Sequence, residues 1–264
     1  MNTEASRVHP NLVVDDFGFV RVLRIDREDK LGALSTNLVA ALGIEFDKLA
    51  NSNSIRSAIL TGTGRGFIAG ADIEEYAHAT PAEFEHYQRF SREVFETLAD
   101  LPQVTIAAVN GYAFGGGFEL ALCCDLIIAS GRARFGLPEV KLGLIPGGGG
   151  LMRLAEAAGS RWAKEVIMSG RTVSPEEALE RGIASEVIEE EHLLDRAISR
   201  AREFSANAPL AVGEVKALMQ TSEKTRHAAA ERDVHALVRL FASADGREGI
   251  EAFMEKRKAV FRAE

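Results

Sequence analysis

Residues 111–130, GYAFGGGFELALCCDLIIAS, place three consecutive glycines ahead of a glutamate and an apolar run. Glycine loses more backbone freedom on folding than any other residue, so a triplet in a segment of core character needs a reason. The flanks give its setting. VTIAAV (104–109) reads as a buried strand, ELALCC as a short helix and DLIIAS as the next strand. The alternation recurs upstream: FGFVRVLRI (17–25) reads as a strand and IRSAILTG (55–62) as a buried one. Between them STNLVAALGIEFDKLA (35–50) repeats apolar residues at helical spacing through Leu38, Leu42, Phe46 and Leu49. TPAEFEHYQRFSREVFETLAD (80–100) opens with Thr80, Pro81 and Glu83, a capping box with proline at the first helical position. Its Phe84, Tyr87, Val94, Phe95 and Leu98 form a buried stripe. Strands alternating with helices predict an α/β fold. Ser174, Pro175 and Glu177 repeat the capping signal, with Gly182 as a stop, and from about residue 191 the pattern is helical. The expected division is a core over 1–200 and a helical C-terminal subdomain over 201–264.

The chain has 264 residues, 46% hydrophobic and 27% charged, with a formal net charge of −8. That is the balance of a globular protein, and the acidic excess argues against a general nucleic-acid or anionic-membrane binder. No apolar run approaches the roughly 18 residues of a membrane span. The opening MNTEASRVHPNLVVDDFG lacks the apolar region of a signal peptide. Cys123 and Cys124 are adjacent in an apolar stretch and form no CxxC, so they read as buried thiols in a reducing compartment. The expected location is the cytoplasm.

A second glycine-rich stretch, LTGTGRGFIAGADIEEY (60–76), also follows a strand. Neither stretch is a phosphate cradle. Gly111 and Gly116 are followed by Gly117 and Phe118 rather than Lys-Ser/Thr, and Gly62, Gly64 and Gly66 lead to FIAGAD rather than to a helix start. Two readings remain: tight packing of strand on helix, or close approach of main-chain N–H groups to a ligand. In the second, the free amides and positive dipole end of the following helix suit an oxyanion.

Two glutamates stand beside these turns. Glu119, two residues after the triplet, falls in a first helical turn, where a carboxylate also complements the helix dipole. Glu139, in RFGLPEVKLGLIPGGGG (134–150), precedes another glycine cluster and alone reads as a loop acid. Together they suggest an acid and a base facing one substrate. The six histidines show no HExxH or other metal-ligand spacing, so no metal is expected, and no G-x-S-x-G elbow is present. Lys256, Arg257 and Lys258 form either a solvated helix face or a holder for a phosphate-rich ligand.

FIAGADIEEY (67–76), NGYAFGGGFELALCCDLIIAS (110–130), ARFGLPEVKLGLIPGGGG (133–150) and GREGIEAFMEKRKAVF (246–261), in this order and spacing, resemble the enoyl-CoA hydratase/isomerase (crotonase) superfamily, and the enoyl-CoA hydratases within it. The likeness runs over about residues 12–262. It implies a crotonase-like spiral of ββα units with a helical C-terminal region used in a homotrimer, or a dimer of trimers. It implies an acyl-CoA thioester whose carbonyl is held by the backbone N–H groups of Ala71 and Gly116, with Glu119 and Glu139 as the catalytic pair. It places Ala69, Asp72 and Ile73 along the CoA groove, and Phe253 and Lys256 near the CoA of a neighbouring subunit. No cofactor is implied beyond the coenzyme A of the substrate.

Four residues depart from the family pattern. Gly32, in REDKLGALS (27–35), replaces a usual asparagine and is expected to change contacts on the adenine side. Leu151 and Met152 stand for a Thr-Gln pair and are expected to reshape an active-site wall, and the bulk of Phe118 is expected to alter the acyl pocket. An isomerase that shifts the double bond of a 3-enoyl-CoA on the same scaffold needs only the acid at Glu139, so the retained pair favours hydration, although dehydratases specialised for branched or cyclic acyl-CoAs share the pair and stay as an alternative. The AU-rich RNA binding of some relatives leans on a lysine-rich early helix, where FDKLANSNSIRS (46–57) offers only Lys48 and Arg56.

Overall fold

Hydrophobic strands too apolar for a solvent-facing sheet dictate layers with helices on both sides. A computed structural model describes residues 6–219 and 234–260 and shows this arrangement. A seven-stranded sheet begins as an antiparallel meander of β1 (Ser6–His9), β2 (Leu12–Phe17) and β3 (Val20–Ile25). The stretch 17–25, expected as one strand, is therefore the end of β2, a turn and β3: Gly18 at φ +72° reverses the chain there. After α1 (Thr36–Ala50), capped by the Ser35 side chain, the chain enters a spiral.

Each turn of the spiral gives one strand to the large sheet, one to a smaller sheet, and then helix. The first is β4 (Ser57–Gly62), β5 (Gly66–Ile68) and α2 (Pro81–Ala99), whose capping box of Thr80 and Glu83 forms as expected. The second is β6 (Val104–Val109), β7 (Tyr112–Phe114) and α3 (Gly116–Cys123). The third is β8 (Leu126–Ser130) and β9 (Arg134–Gly136), followed by α4 (Gly150–Ala158), α5 (Ser160–Ser169) and α6 (Pro175–Glu180). The large sheet runs in parallel through β3, β4, β6 and β8 to β10 (Glu186–Ile188), while β5, β7 and β9 make the small parallel sheet. This is the spiral of ββα units that the resemblance implies.

α7 (Leu193–Ser205) closes the outer face of the large sheet, packing Leu193, Ala197, Ile198 and Ala201 on Val22, Ile59, Ile106 and Ile128. The boundary expected at residue 201 falls inside this helix. α8 (Pro209–Met219) follows, then helix over 234–242 (α9) and α10 (Ala244–Met254). The helical pattern expected through 220–233 lies outside the described residues. α9 and α10 pack Leu237, Phe241 and Ile250 against Tyr76, Phe84 and Leu144, with Phe241 stacked on Phe84 at 3.9 Å between ring centroids. No helix among the described residues is long and apolar enough to cross a membrane.

The glycine triplet divides into three separate jobs. Gly115 caps α3 at φ +50°, a left-handed conformation that side chains disfavour. Gly117 lies against β5, where a Cβ would stand 2.0 Å from the Ile68 carbonyl oxygen. At Gly116 a Cβ would meet nothing nearer than Leu34 Cδ1 at 3.7 Å, an ordinary contact. Gly117→Ala should therefore cost about 1–3 kcal/mol or more in urea unfolding, because backbone must move to admit it. Gly116→Ala should fall within about 0.5 kcal/mol of the parent in the same measurement.

Candidate active site

The C-terminal ends of β5 and β7 open into one cavity of about 510 Å³. Ala71 and Gly116 both line it. Leu34 donates its N–H to Gly70 O and accepts from Asp72 N–H, each at 2.8 Å, the pattern of a parallel bridge centred on Ala71. In such a bridge the central residue turns its own N–H to the opposite side. Gly116 is the first residue of α3, so its N–H has no acceptor within the helix. Ala69 also lines the cavity, but its amide is engaged with Leu31 O at 3.0 Å.

Glu119 and Glu139 line the same cavity in unlike surroundings. Glu119, buried in the first turn of α3, accepts from the Gly150 N–H at 2.8 Å. Burial pushes its carboxyl up, but the Gly150 and Gly148 amides and the charges of Arg92 and Arg153 oppose the push. Glu139 begins a short helical turn over Glu139–Leu142. Its Oε2 is sealed from solvent with no hydrogen-bond partner, and its Oε1 would stand 3.0 Å from a Cβ at Gly115. Burial, then the charge of Glu119, drive its carboxyl well above the ordinary carboxylate range. One carboxylate is anchored and the other is not, so their proton affinities are pushed apart.

A clamp that sequence reasoning missed holds the anchor in place. Arg92 of α2 donates to Gly147 O and Arg153 of α4 to Gly148 O, each at 3.2 Å. Arg153 also bonds Glu96 at 2.8 Å. Helical phase was the available signal: Arg92 stands three residues before Phe95 of the stripe read for residues 80–100 and so borders the core.

The cavity mouth carries the other expected residues. Asp72, buried, pairs with Arg27 at 2.6 Å, and Ile73 lines the wall beside it. Lys30 and Glu74 pair at 2.8 Å on the rim. Phe253 of α10 lines this chain's own cavity. Lys256 does not. It sits beyond α10 with φ +55°, exposed, while its neighbour Arg257 is bound to Glu248 and Glu255.

Three expected departures resolve differently. Phe118 is fully buried against Phe135, with 5.2 Å between centroids, and does not line this cavity. One residue is 100° of helical turn, which sends Phe118 to the core and Glu119 to the cavity. Leu151 packs on the core and Met152 is exposed, so neither forms a cavity wall. Gly32 is required by the backbone: its φ is +76°, and a Cβ would stand 2.5 Å from Phe67 O.

The sequence matches the enoyl-CoA hydratase/isomerase family over residues 18–264. A short-chain-enoyl-CoA hydratase of Clostridium acetobutylicum is 36% identical over 250 residues, covering 94% of this chain and 96% of the relative. A 2,3-dehydroadipyl-CoA hydratase of Escherichia coli is 35% identical over 252 residues, covering 95% and 98%. The crystal structure of an enoyl-CoA hydratase from Bacillus anthracis superposes with a TM-score of 0.78 at 35% identity, covering 96% of this chain and all of that one.

The setting of Glu139 has a consequence for stability. A carboxyl raised in the folded state is protonated in both states at low pH. As pH rises, the unfolded chain ionises first, and the fold loses stability until its own carboxyl ionises. Glu139→Gln removes that loss. Its unfolding free energy should match the parent near pH 4 and exceed it increasingly toward pH 8, as followed by urea denaturation across that range.

Proposed function

The chain belongs to the enoyl-CoA hydratase/isomerase family, and on that premise we propose that it hydrates a 2-enoyl-CoA to a 3-hydroxyacyl-CoA. The observation that carries this reading is the pair of glutamates facing one cavity, Glu119 anchored by a backbone amide and Glu139 without a partner at Oε2. The hydratases among its relatives support it.

In the proposed scheme the thioester oxygen accepts from the N–H groups of Ala71 and Gly116. Charge that moves onto this oxygen in the transition state is stabilised there, and losing one such donor typically costs about 3–4 kcal/mol. Glu119, the more readily ionised of the two, takes a proton from water as the water oxygen bonds to Cβ. The electrons of the double bond form the new C–H bond at Cα with the proton of Glu139. One water is consumed, the proton gained by Glu119 balances the one given by Glu139, and nothing is oxidised or reduced. The scheme therefore calls on no cofactor beyond the coenzyme A of the substrate. Ala69, Asp72 and Ile73 would border its pantetheine arm, with Phe253 at the mouth and Lys256 toward the CoA of a neighbouring subunit.

A homotrimer, or a dimer of trimers, fits α8. Val212 of that helix leans on the core and Lys216 bonds Asp125 at 2.8 Å, while Leu210, Val215, Leu218 and Met219 stand exposed. An apolar face of that kind marks an interaction site.

Two measurements test the reading. Glu139→Gln and Glu119→Gln should each lower kcat for crotonyl-CoA by about 10²–10⁴-fold while KM stays within a few-fold; hydration at the parental rate by either variant removes that residue from the scheme. The triple change Leu210→Ser, Leu218→Ser, Met219→Ser should convert the assembly seen by light scattering to monomer, and an unchanged mass rules α8 out of the interface.

A further inference from the structure

α2 faces the cavity with residues 84, 87, 88, 91 and 95, a stripe at helical spacing. Its ends are Phe84 and Phe95, and Leu144, Ile145 and Leu237 line the same cavity. A pocket built only for a hydrocarbon tail would continue in that character. The middle of the stripe is instead Tyr87, Gln88 and Ser91.

The Tyr87 ring packs on Tyr76, 5.7 Å between centroids, but the polar atoms of Gln88 and Ser91 do not hold the fold together. Ser91 is 7% exposed, and its Oγ has no hydrogen-bond partner. The Gln88 carboxamide makes no hydrogen bond among the described residues, and Gly147 leaves room for it: a Cβ there would stand 2.7 Å from Gln88 Oε1. Tyr87 stands one turn from Ser91; burial pushes its phenol up, and a weak interaction with the Ser91 hydroxyl, the one polar group facing it on α2 and short of a well-formed hydrogen bond, offsets part of the push. Burying polar groups without partners is unfavourable, and an alanine or leucine at 88 and 91 would avoid it.

We propose that this wall recognises a hydrogen-bonding substituent, a hydroxyl or oxo group, on the acyl chain of the substrate. The proposal rests on the acyl-CoA reading of the cavity. Hydroxyls and a carboxamide each both donate and accept, which suits a neutral group of either kind. A carboxylate suits the wall less. Glu119 and Glu139 already bring acid groups to the cavity, and the neighbouring cations Arg92 and Arg153 are engaged with Gly147 O, Gly148 O and Glu96. The wall thus sets which acyl chains are preferred without taking part in the chemistry at Cα and Cβ.

Binding of saturated thioesters tests this independently of catalysis. Butanoyl- to octanoyl-CoA, their ω-hydroxy counterparts and the ω-carboxylates are titrated calorimetrically into the full-length protein. At one or more chain lengths the ω-hydroxy ester should bind about tenfold tighter than its parent, the effect of one well-made hydrogen bond. In the variant carrying Ser91→Ala and Gln88→Leu, the ratio of the two dissociation constants should fall to about twofold or less. Equal or tighter binding of the parent at every length overturns the proposal, as does a preference that survives in the variant. An ω-carboxylate that outbinds the hydroxyl ester overturns the choice of a neutral group. Failure of the parental protein to hydrate crotonyl-CoA while the binding preference persists sinks the catalytic reading alone.

Discussion

The hydrogen bond from the Gly150 N–H to Glu119 Oε1 governs the chemistry that this cavity can support. Two carboxyl groups brought into one desolvated space cannot both hold their charge at ordinary cost, since each ionisation opposes the other. Something must decide which of them gives way. Here a main-chain amide, a second amide at Gly148 and two guanidinium groups favour charge on Glu119, whereas Glu139 meets burial and the repulsion of its neighbour, offset in small part by its own main-chain amide. The anchor itself depends on the loop 147–150, which Arg92 and Arg153 hold by its carbonyls. Close packing also keeps this loop glycine-rich: a Cβ at Gly150 would stand 2.8 Å from Glu119 Cγ, and one at Gly148 would stand 2.8 Å from the Phe95 ring.

Much of this was legible in the sequence, for identifiable reasons. Ser35, Thr80 and Ser174 announce their helices because a capping hydroxyl satisfies an orphan N–H wherever the helix lies in the fold. Even so, Glu177 does not complete a capping box. Its carboxylate is taken by Arg171 and Trp162, a tertiary choice that local spacing does not encode. The division of 17–25 at Gly18 was missed because apolar alternation continues on both sides of the turn. Glu119 and Glu139 stood out beside glycines, whereas Arg92, Gln88 and Ser91 lie within an amphipathic helix and are distinguished only by what α2 faces.

The same distinction explains the departures from the family pattern. Bulk next to a cavity-lining glutamate suggests a change in the pocket, but adjacent helical residues point in different directions, and Phe118 fills core space beside Phe135. Gly32 is likewise a matter of backbone, since the loop 27–34 wraps the segment 66–72 so closely that Phe67 O occupies the place of a side chain.

The glycines finally connect the fold to the position of the amides. A Cβ at Gly66 would stand 2.3 Å from Leu31 O, one at Gly111 2.0 Å from Arg65 O, and one at Gly117 2.0 Å from Ile68 O. The last two contacts join the second turn of the spiral to the first, and the Gly66 contact joins the first turn to the loop ahead of α1, backbone against backbone. Were these positions to carry side chains, β5 and β7 would be held too far apart to pair through Gly66, Tyr112, Ile68 and Ala113. That pairing is what brings Ala71, just past one strand, and Gly116, just past the other, to the same cavity. Gly116 is the exception that completes the pattern: no neighbouring backbone presses on it, and a Cβ there would make only ordinary contacts with the Leu34 and Phe95 side chains at the edge of the cavity.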